Sequence, residues 1–450
     1  MQLQITHRFI RSLTTVALLL GTQGAWSYEY EETSPEAVGY DSEKLKRLQE
    51  TADSLFEDGR IPNYVLALYK DGKRYLEVTR GKTVIPDGRD VDSGTIYHLA
   101  SMSKPIVTTA VFRLAQEGKI DINDRLSKYF PAFEQMMVAP DGDFANQFEP
   151  AKREITLLDL ITHSSGFTYS ENIAGYGDVG RTYSELGVFS ASSAGPGAGK
   201  TMVEHMETLA EIPLVAHPGE EFNYSVSIDV LGAVIEQVTE MSLADYLSDA
   251  TFEPLGMEST GFTLTEAQAN NTSSIYGVEP FGPYPDFKFM GKLGDAEDAI
   301  DWKIAPLIPP QAYLREPSFY SGGGGLLASA DDFARYLSMV AGNGTVDGVT
   351  VLEPEYAEMH KKSLVGFGAE AFAEAFGDAA QYMTFGGGFG IKNQPEKPEE
   401  TDYIFWGGAF NTFFWLDLSD NSSGVFYTAH WPVQYNISDN LEQIVDEARK

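Results

Sequence analysis

The strongest constraint on how this chain folds is that its strand-like runs lie at opposite ends of the sequence. Residues 64–81, YVLALYKDGKRYLEVTRG, hold two apolar runs joined at Asp71-Gly72, a dipeptide suited to a tight hairpin turn. Far along the chain, YIFWGG (403–408), NTFFWLDL (411–418) and SGVFYTAHW (423–431) read as three more strands separated by Gly-rich or Asn/Asp turns. An isolated hairpin is only marginally stable, so the two ends are expected to join in one sheet. Leu45, Leu48, Ala52 and Leu55 recur at the helical period in Asp41–Phe56, and Ser438–Arg449 reads as a closing helix capped by Ser438 or Asp439. Residues 101–260 read as mostly helix and loop. The expected architecture is α+β: a sheet lobe from about 28–100 and 320–450, with a mainly helical lobe of about 101–319 inserted. No internal repeat is visible.

Two Gly-, Pro- and aromatic-rich stretches, 168–200 and 276–320, read as long surface loops, the second a candidate lid. The first 27 residues differ from the rest. Arg8 and Arg11 precede an apolar run from Leu13 to Leu20, and Gly24-Ala25-Trp26-Ser27 supplies small residues near a cleavage point. That pattern predicts a cleavable secretory signal, leaving 28–450 as the mature chain, periplasmic or extracellular. The run is shorter than the roughly 20 residues a bilayer requires, so no stable membrane insertion is expected. With no cysteine in the chain, disulfides, thiolate metal sites and a lipidated N-terminal Cys are excluded.

Without the leader, 30 Lys and Arg face 66 Asp and Glu, a net charge of −36. Phosphate binding needs a basic surplus, so nucleic acid is not an expected partner. A solvated acidic surface accounts for the charge, and a salty habitat would leave the same signature.

AGPGAGKT (194–201) imitates a phosphate-cradling loop, but Ala194 stands where the pattern needs Gly and no apolar strand precedes it. Neither HExxH nor GxSxG occurs, and the seven His show no metal-ligand spacing, so neither a metal nor a cofactor is expected. His163, in LLDLITHSSGF, reads as a structural hydrogen-bonding residue rather than a base.

The chemistry-bearing candidate is YHLASMSKPIVTTAVFRLAQEG (97–118). GTIYHLA leads in as an extended arm, Pro105 suits only the first turn of a helix, and Val107, Val111, Leu114 and Ala115 form a buried stripe behind it. Ser101 then stands at a helix N-terminus, where outward N–H groups favour developing negative charge. Lys104, three positions on, shares its face and can reach its oxygen. A lysine acts as a base only where its surroundings favour the neutral amine, and such a pair makes a nucleophile. A plain N-cap beside a solvated lysine would read the same way. Tyr224, just ahead of the apolar helical face of Val230, Leu231, Val234, Ile235 and Val238, is either a proton-shuttling phenol or a packed aromatic. Trp406-Gly407-Gly408 marks the edge of a strand that a substrate could approach closely. The Ala409 N–H, paired with that of Ser101, could form an oxyanion hole, each donor worth about 3 kcal/mol; a bulge at a sheet edge is the plainer reading.

In this order and spacing the three stretches, supported by PLVAHPGEEFNYSVSIDVLGAVIEQVT, FEPLGMESTGF and SGGGGLLASADDFARYLSMVAGNG, resemble the penicillin-recognising serine hydrolases. They are most similar to the branch holding class C β-lactamases and family VIII carboxylesterases, over about residues 34–430. The resemblance implies a β-lactamase/DD-peptidase-like fold, an antiparallel sheet flanked by helices with a helical lobe across the cleft. It implies Ser101 as acylated nucleophile, Lys104 as proton acceptor and Tyr224 as the group that protonates the leaving atom and then activates water. Two departures point to the esterase side: Val226 replaces the Asn of Tyr-x-Asn, and Trp406-Gly407-Gly408 replaces Lys-Thr-Gly. The lost lysine would hold a β-lactam carboxylate, whereas Trp406 gives an apolar wall and one N–H, suited to a neutral ester. The expectation is a secreted serine esterase acting on a small or medium acyl ester. The alternatives are a β-lactamase, a D-amino-acid peptidase or other amide hydrolase, and a non-catalytic cell-wall or ligand-binding member.

Overall fold

The computed structural model describes residues 28, 30–170, 177–190, 196–279, 303–366, 382–394, 397–431 and 437–450; the expected leader and parts of both loop-like stretches lie outside them. Asn63–Lys70 and Lys73–Gly81 pair as an antiparallel hairpin through Asp71-Gly72, both at positive φ (53° and 71°). This hairpin belongs to an eight-stranded sheet ordered Glu31–Glu32, Lys73–Gly81, Asn63–Lys70, Ser423–Tyr427, Thr412–Asp417, Lys397–Gly408, Gly390–Gln394 and Met383–Phe385. Only the two-residue strand at the Glu31 edge runs parallel to its neighbour. The two ends of the chain meet where Val425 faces Ala67.

Strand alternation explains why YVLALY is apolar without a break. Tyr64, Leu66 and Leu68 pack on one face with Leu45, Leu48 and Ala52 of the Ser42–Glu57 helix and with Leu441, Ile444 and Val445 of the Ser438–Ala448 helix. Val65, Ala67 and Tyr69 enter the main core on the other face, with Phe112 of the Ser103–Gln116 helix and Phe333 and Leu337 of the Ala330–Ala341 helix. A sheet covered on both faces requires apolar residues at odd and even positions alike.

Three local expectations differ from the structure. The closing helix starts at Ser438 itself, with Ile437 at the cap position and no side-chain cap bond, so the cap lies one residue earlier than expected. Within 168–200, Gly177–Leu186 is a helix that buries Val179 and Tyr183, one helical turn apart. Within 276–320, Lys303–Ile308 pairs antiparallel with Ile275–Glu279, which in turn pairs parallel with His430–Trp431. Proline usually argues against a strand, but Pro306 lies on the outer strand of this small sheet beside a register shift, where it costs little pairing. No described helix is long and apolar enough to cross a membrane.

Candidate active site

The sheet and the helical region meet at Ser101. The short strand Ile96–His98 pairs with Leu327–Ser329, and the chain then turns through a 3-10 segment, Ala100–Met102, into the helix Ser103–Gln116. Ser101 therefore precedes the α-helix proper by one tight turn. Ala100 holds a positive φ of 46°, a strain of about 1–3 kcal/mol that surrounding bonds must offset. Ser103 Oγ donates to the Ala100 carbonyl at 2.7 Å and accepts from the Leu326 N–H at 3.1 Å, and Thr412 Oγ1 donates to the Leu99 carbonyl at 3.1 Å.

Lys104 is fully buried, and its Nζ donates to Ser101 Oγ at 2.9 Å and to the Gly323 carbonyl at 2.6 Å. It also lies 4.7 Å from the centre of the Tyr224 ring and 5.6 Å from that of Tyr169. The alcohol, amine and phenol singled out in the sequence thus converge, although nearly 120 residues separate Tyr224 from Lys104 along the chain. Trp406 Nε1 donates to the Tyr224 hydroxyl at 3.4 Å, and the rings pack 5.5 Å apart.

Asp229 and His98 were not singled out by sequence reasoning. Asp229 lies in the first turn of the Ser227–Thr239 helix and is buried. Its Oδ1 accepts from Ser321 Oγ at 2.6 Å and from the Gly323 N–H at 3.1 Å, so it fixes the loop whose carbonyl holds Lys104. A Cβ on Gly323 would stand 2.4 Å from Asp229 Oδ2, which explains a glycine there. Burial pushes the Asp229 carboxyl above the usual range, opposed by the Ser321 hydroxyl and the Lys104 charge. The available signal was one acid inside the apolar run VSIDVLGAV. His98 donates through Nε2–H to the Gly324 carbonyl at 2.7 Å and accepts at Nδ1 from the Tyr313 hydroxyl at 2.9 Å. Burial holds its imidazole down at about 4, so it is neutral at ordinary pH.

His163 accepts at Nδ1 from the Ser225 N–H at 3.2 Å and packs 4.8 Å from the Tyr224 ring. Burial, with the Lys104 charge second, pushes it well below the usual histidine range.

Trp406, Gly407 and Gly408 end the Lys397–Gly408 strand, which is interior to the sheet rather than an edge strand. The neighbouring strand stops where Gly390 faces Phe405, however, so on that side the last three residues lie beyond its pairing. A Cβ on Gly408 would meet the Leu99 carbonyl at 2.2 Å; the glycine lets this strand end lie against the Ser101 turn.

A cavity of about 760 Å³ opens from Ser101, with Ala409, Phe410, Tyr224, Val226 and Asp229 among its lining. Trp406, Gly407 and Gly408 are not among the lining residues: Trp406 is buried against Tyr224, so its N–H serves the phenol. Leu307, Ile308 and Trp431 of the small sheet roof one side, and Tyr183, Val188 and Phe189 wall another. Among the described lining residues there is no Lys or Arg. Lys200 of the phosphate-loop imitation donates to the Leu186 carbonyl and Thr208 Oγ1, each at 3.1 Å. The described residues hold no group of His, Asp or Glu arranged for a metal ion.

A family model described as Beta-lactamase matches residues 48–444. Esterase EstB of Burkholderia gladioli is 27% identical over 387 residues, 85% of this chain and 90% of that protein. A Salmonella typhimurium protein named as an inferred D-alanyl-D-alanine carboxypeptidase is 30% identical over 366 residues, 76% of this chain and 75% of that one. Among solved structures, EstCE1, described as a hydrolase with promiscuous acyltransferase activity, superposes with a TM-score of 0.70 at 24% identity, covering 90% of this chain and 98% of its own.

Proposed function

Because the chain belongs to the β-lactamase family of serine hydrolases, we propose that it is an exported esterase that cleaves small or medium neutral acyl esters through an acyl-enzyme on Ser101. The observation that carries this reading is the buried 2.9 Å bond from Lys104 to Ser101 at the mouth of a cavity with no Lys or Arg among its described lining residues. Peptide and β-lactam substrates of such enzymes carry a carboxylate that needs a cation; a neutral ester does not.

In the proposed cycle Ser101 Oγ attacks the ester carbonyl as its proton passes to the Lys104 amine. The carbonyl oxygen gathers negative charge beside the Ser101 and Ala409 N–H groups, a stabilisation worth about 3 kcal/mol per donor. As the C–O bond breaks, the leaving alkoxide takes a proton at the Tyr224 hydroxyl, which Lys104 resupplies. Water then gives one proton to the same pair and its hydroxide to the acyl carbon, and as the acyl–Oγ bond breaks the pair returns that proton to Ser101 Oγ, releasing acid and free enzyme.

Purified protein is expected to hydrolyse p-nitrophenyl acetate and butyrate and to gain one adduct mass on Ser101 from a fluorophosphonate probe. Ser101→Ala should lose at least 10³-fold in kcat and all labelling. Retained turnover in Ser101→Ala would refute the assignment, and nitrocefin turnover far above that of the esters would favour a β-lactamase.

A further inference from the structure

In the proposed cycle Tyr224 delivers a proton at a defined point, yet it stands in Phe222–Ser225, a segment outside every helix and strand and without a ladder of backbone bonds. The bond from Trp406 Nε1 to its hydroxyl is long, at 3.4 Å. The residues on either side of Tyr224 are both held by His163. The His163 carbonyl accepts from the Asn223 N–H at 2.7 Å, and its imidazole Nδ1 accepts from the Ser225 N–H at 3.2 Å. The ring between those two bonds packs 4.8 Å from that of Tyr224. One residue thus grips the backbone before and after the phenol and packs against the phenol itself.

Two features of His163 go unexplained if it only fills space. It follows Thr162, the cap of the Leu157–Ile161 helix, at a φ of 54°, a place where glycine is usual. A backbone N–H can only donate, so Nδ1 is the acceptor and the neutral ring carries its proton on Nε2. That atom is buried with no hydrogen-bond partner among the described residues. Glycine would suit the turn better, and phenylalanine would fill the space without a stranded donor, but neither would supply Nδ1. Burial, and after it the Lys104 charge, keeps the ring uncharged at ordinary pH, so the acceptor is retained.

We propose that His163 is a positioning residue for the reaction: its Nδ1 fixes Ser225 and so holds the Tyr224 hydroxyl at the point from which it protonates the leaving oxygen. The proposal rests on the esterase reading and deepens it. Ser225 Oγ bonds to Ser227 Oγ at 2.8 Å, which ties the same grip to the first turn of the helix that carries Asp229.

A displaced Tyr224 matters in proportion to the leaving group's need for a proton. p-Nitrophenolate departs unprotonated and ethoxide does not, and kcat/KM for the two butyrates reads acylation in both cases. His163→Phe keeps a ring but offers Ser225 no acceptor; kcat/KM should fall about 30-fold or more for ethyl butyrate and less than about fivefold for p-nitrophenyl butyrate. His163→Asn sets Oδ1 in the place of Nδ1 and takes a left-handed backbone readily, so the ratio of the two substrates should return to within about fivefold of the parent. His163→Ala, which also lacks the acceptor, is read in the same way if His163→Phe folds poorly, and a ratio cancels any loss of folded enzyme. Equal falls for both esters, a ratio as disturbed in His163→Asn as in His163→Phe, or a parent enzyme inert toward ethyl butyrate would overturn the proposal. Failure of the esterase reading looks different: the parent would cleave neither butyrate in a Ser101-dependent way.

Discussion

The catalytic floor and the cavity wall meet at Ser101 but are built by different rules. On the floor, Lys104, Ser101, Gly323, Asp229 and Ser321 form one chain of hydrogen bonds between 2.6 and 3.1 Å, buried except at its half-buried Ser321 end, that crosses from helix to loop to helix. On the wall, Leu307, Ile308, Val188 and Phe189 present apolar surface, and Leu307 is about 40% open to solvent. A buried polar chain fails as a unit when one member is lost, because its neighbours are left desolvated and unpaired. An apolar wall changes shape by one side chain at a time. The contrast suggests that the reaction type is fixed by the floor while substrate choice can drift on the wall.

Asp229 offers the sharpest way to break that contrast, since it belongs to both regions. Asp229→Asn keeps one acceptor oxygen but removes the carboxylate charge and weakens the grip on the Gly323 N–H. A shift of the Gly323 carbonyl by an ångström would misplace Lys104, and kcat should fall up to ~100-fold with KM within about twofold. Steady-state kinetics beside a thermal melt would check this. A rise in KM alone would assign Asp229 to the wall instead.

A smaller effect separates the two regions from an ordinary histidine mechanism. Both imidazoles near Ser101, His98 on the wall and His163 on the floor, are pushed down by burial. The kcat/KM profile for a neutral ester should therefore show no inflection near pH 6.5. The same shifts make stability depend on pH. The unfolded chain binds protons at these histidines from about pH 6.5 downward, while the folded chain binds them only at lower pH, near 4 for His98, so stability is full above 6.5 and falls as the pH drops below it. His163→Gln removes one such group, and the stability difference between pH 7 and pH 5 should shrink in urea melts. An unchanged difference would mean that His163 is charged inside the fold.

How far the floor and wall could be read from the sequence follows from the range of the forces involved. The Ser101–Lys104 pair is local, three residues apart on one helical face, and the apolar stripe behind it marked that face. The sheet was legible because YVLALY and the strands after Tyr403 could not be stable separately. Asp229 was hidden because its role depends on Ser321 and Gly323, about 90 residues away. The roof was hidden because Pro306 imitates a loop and its strand forms only by pairing with Tyr276, itself aligned with His430. The departure of Trp406 from the family pattern was visible, but its N–H direction was not: the expected substrate donor turns to Tyr224.

The smallest expected effect lies where the roof is fastened to the floor. Tyr313 follows the Lys303–Ile308 strand, and its hydroxyl donates to His98 Nδ1 while His98 Nε2–H holds the Gly324 carbonyl, one residue from the carbonyl that holds Lys104. Tyr313→Phe removes a single neutral hydrogen bond, worth about 1 kcal/mol, and leaves the ring in place. His98 keeps its tautomer through Gly324, so the floor should be undisturbed and kcat for p-nitrophenyl acetate should change less than about twofold. The roof residues Leu307 and Ile308 lose one anchor, so the loss should appear as a rise of about two- to fivefold in KM for hexanoate. An equal fall in kcat for both esters would show instead that roof and floor act as one unit through His98, and the division drawn between chemistry and selection would have to move to the other side of that histidine.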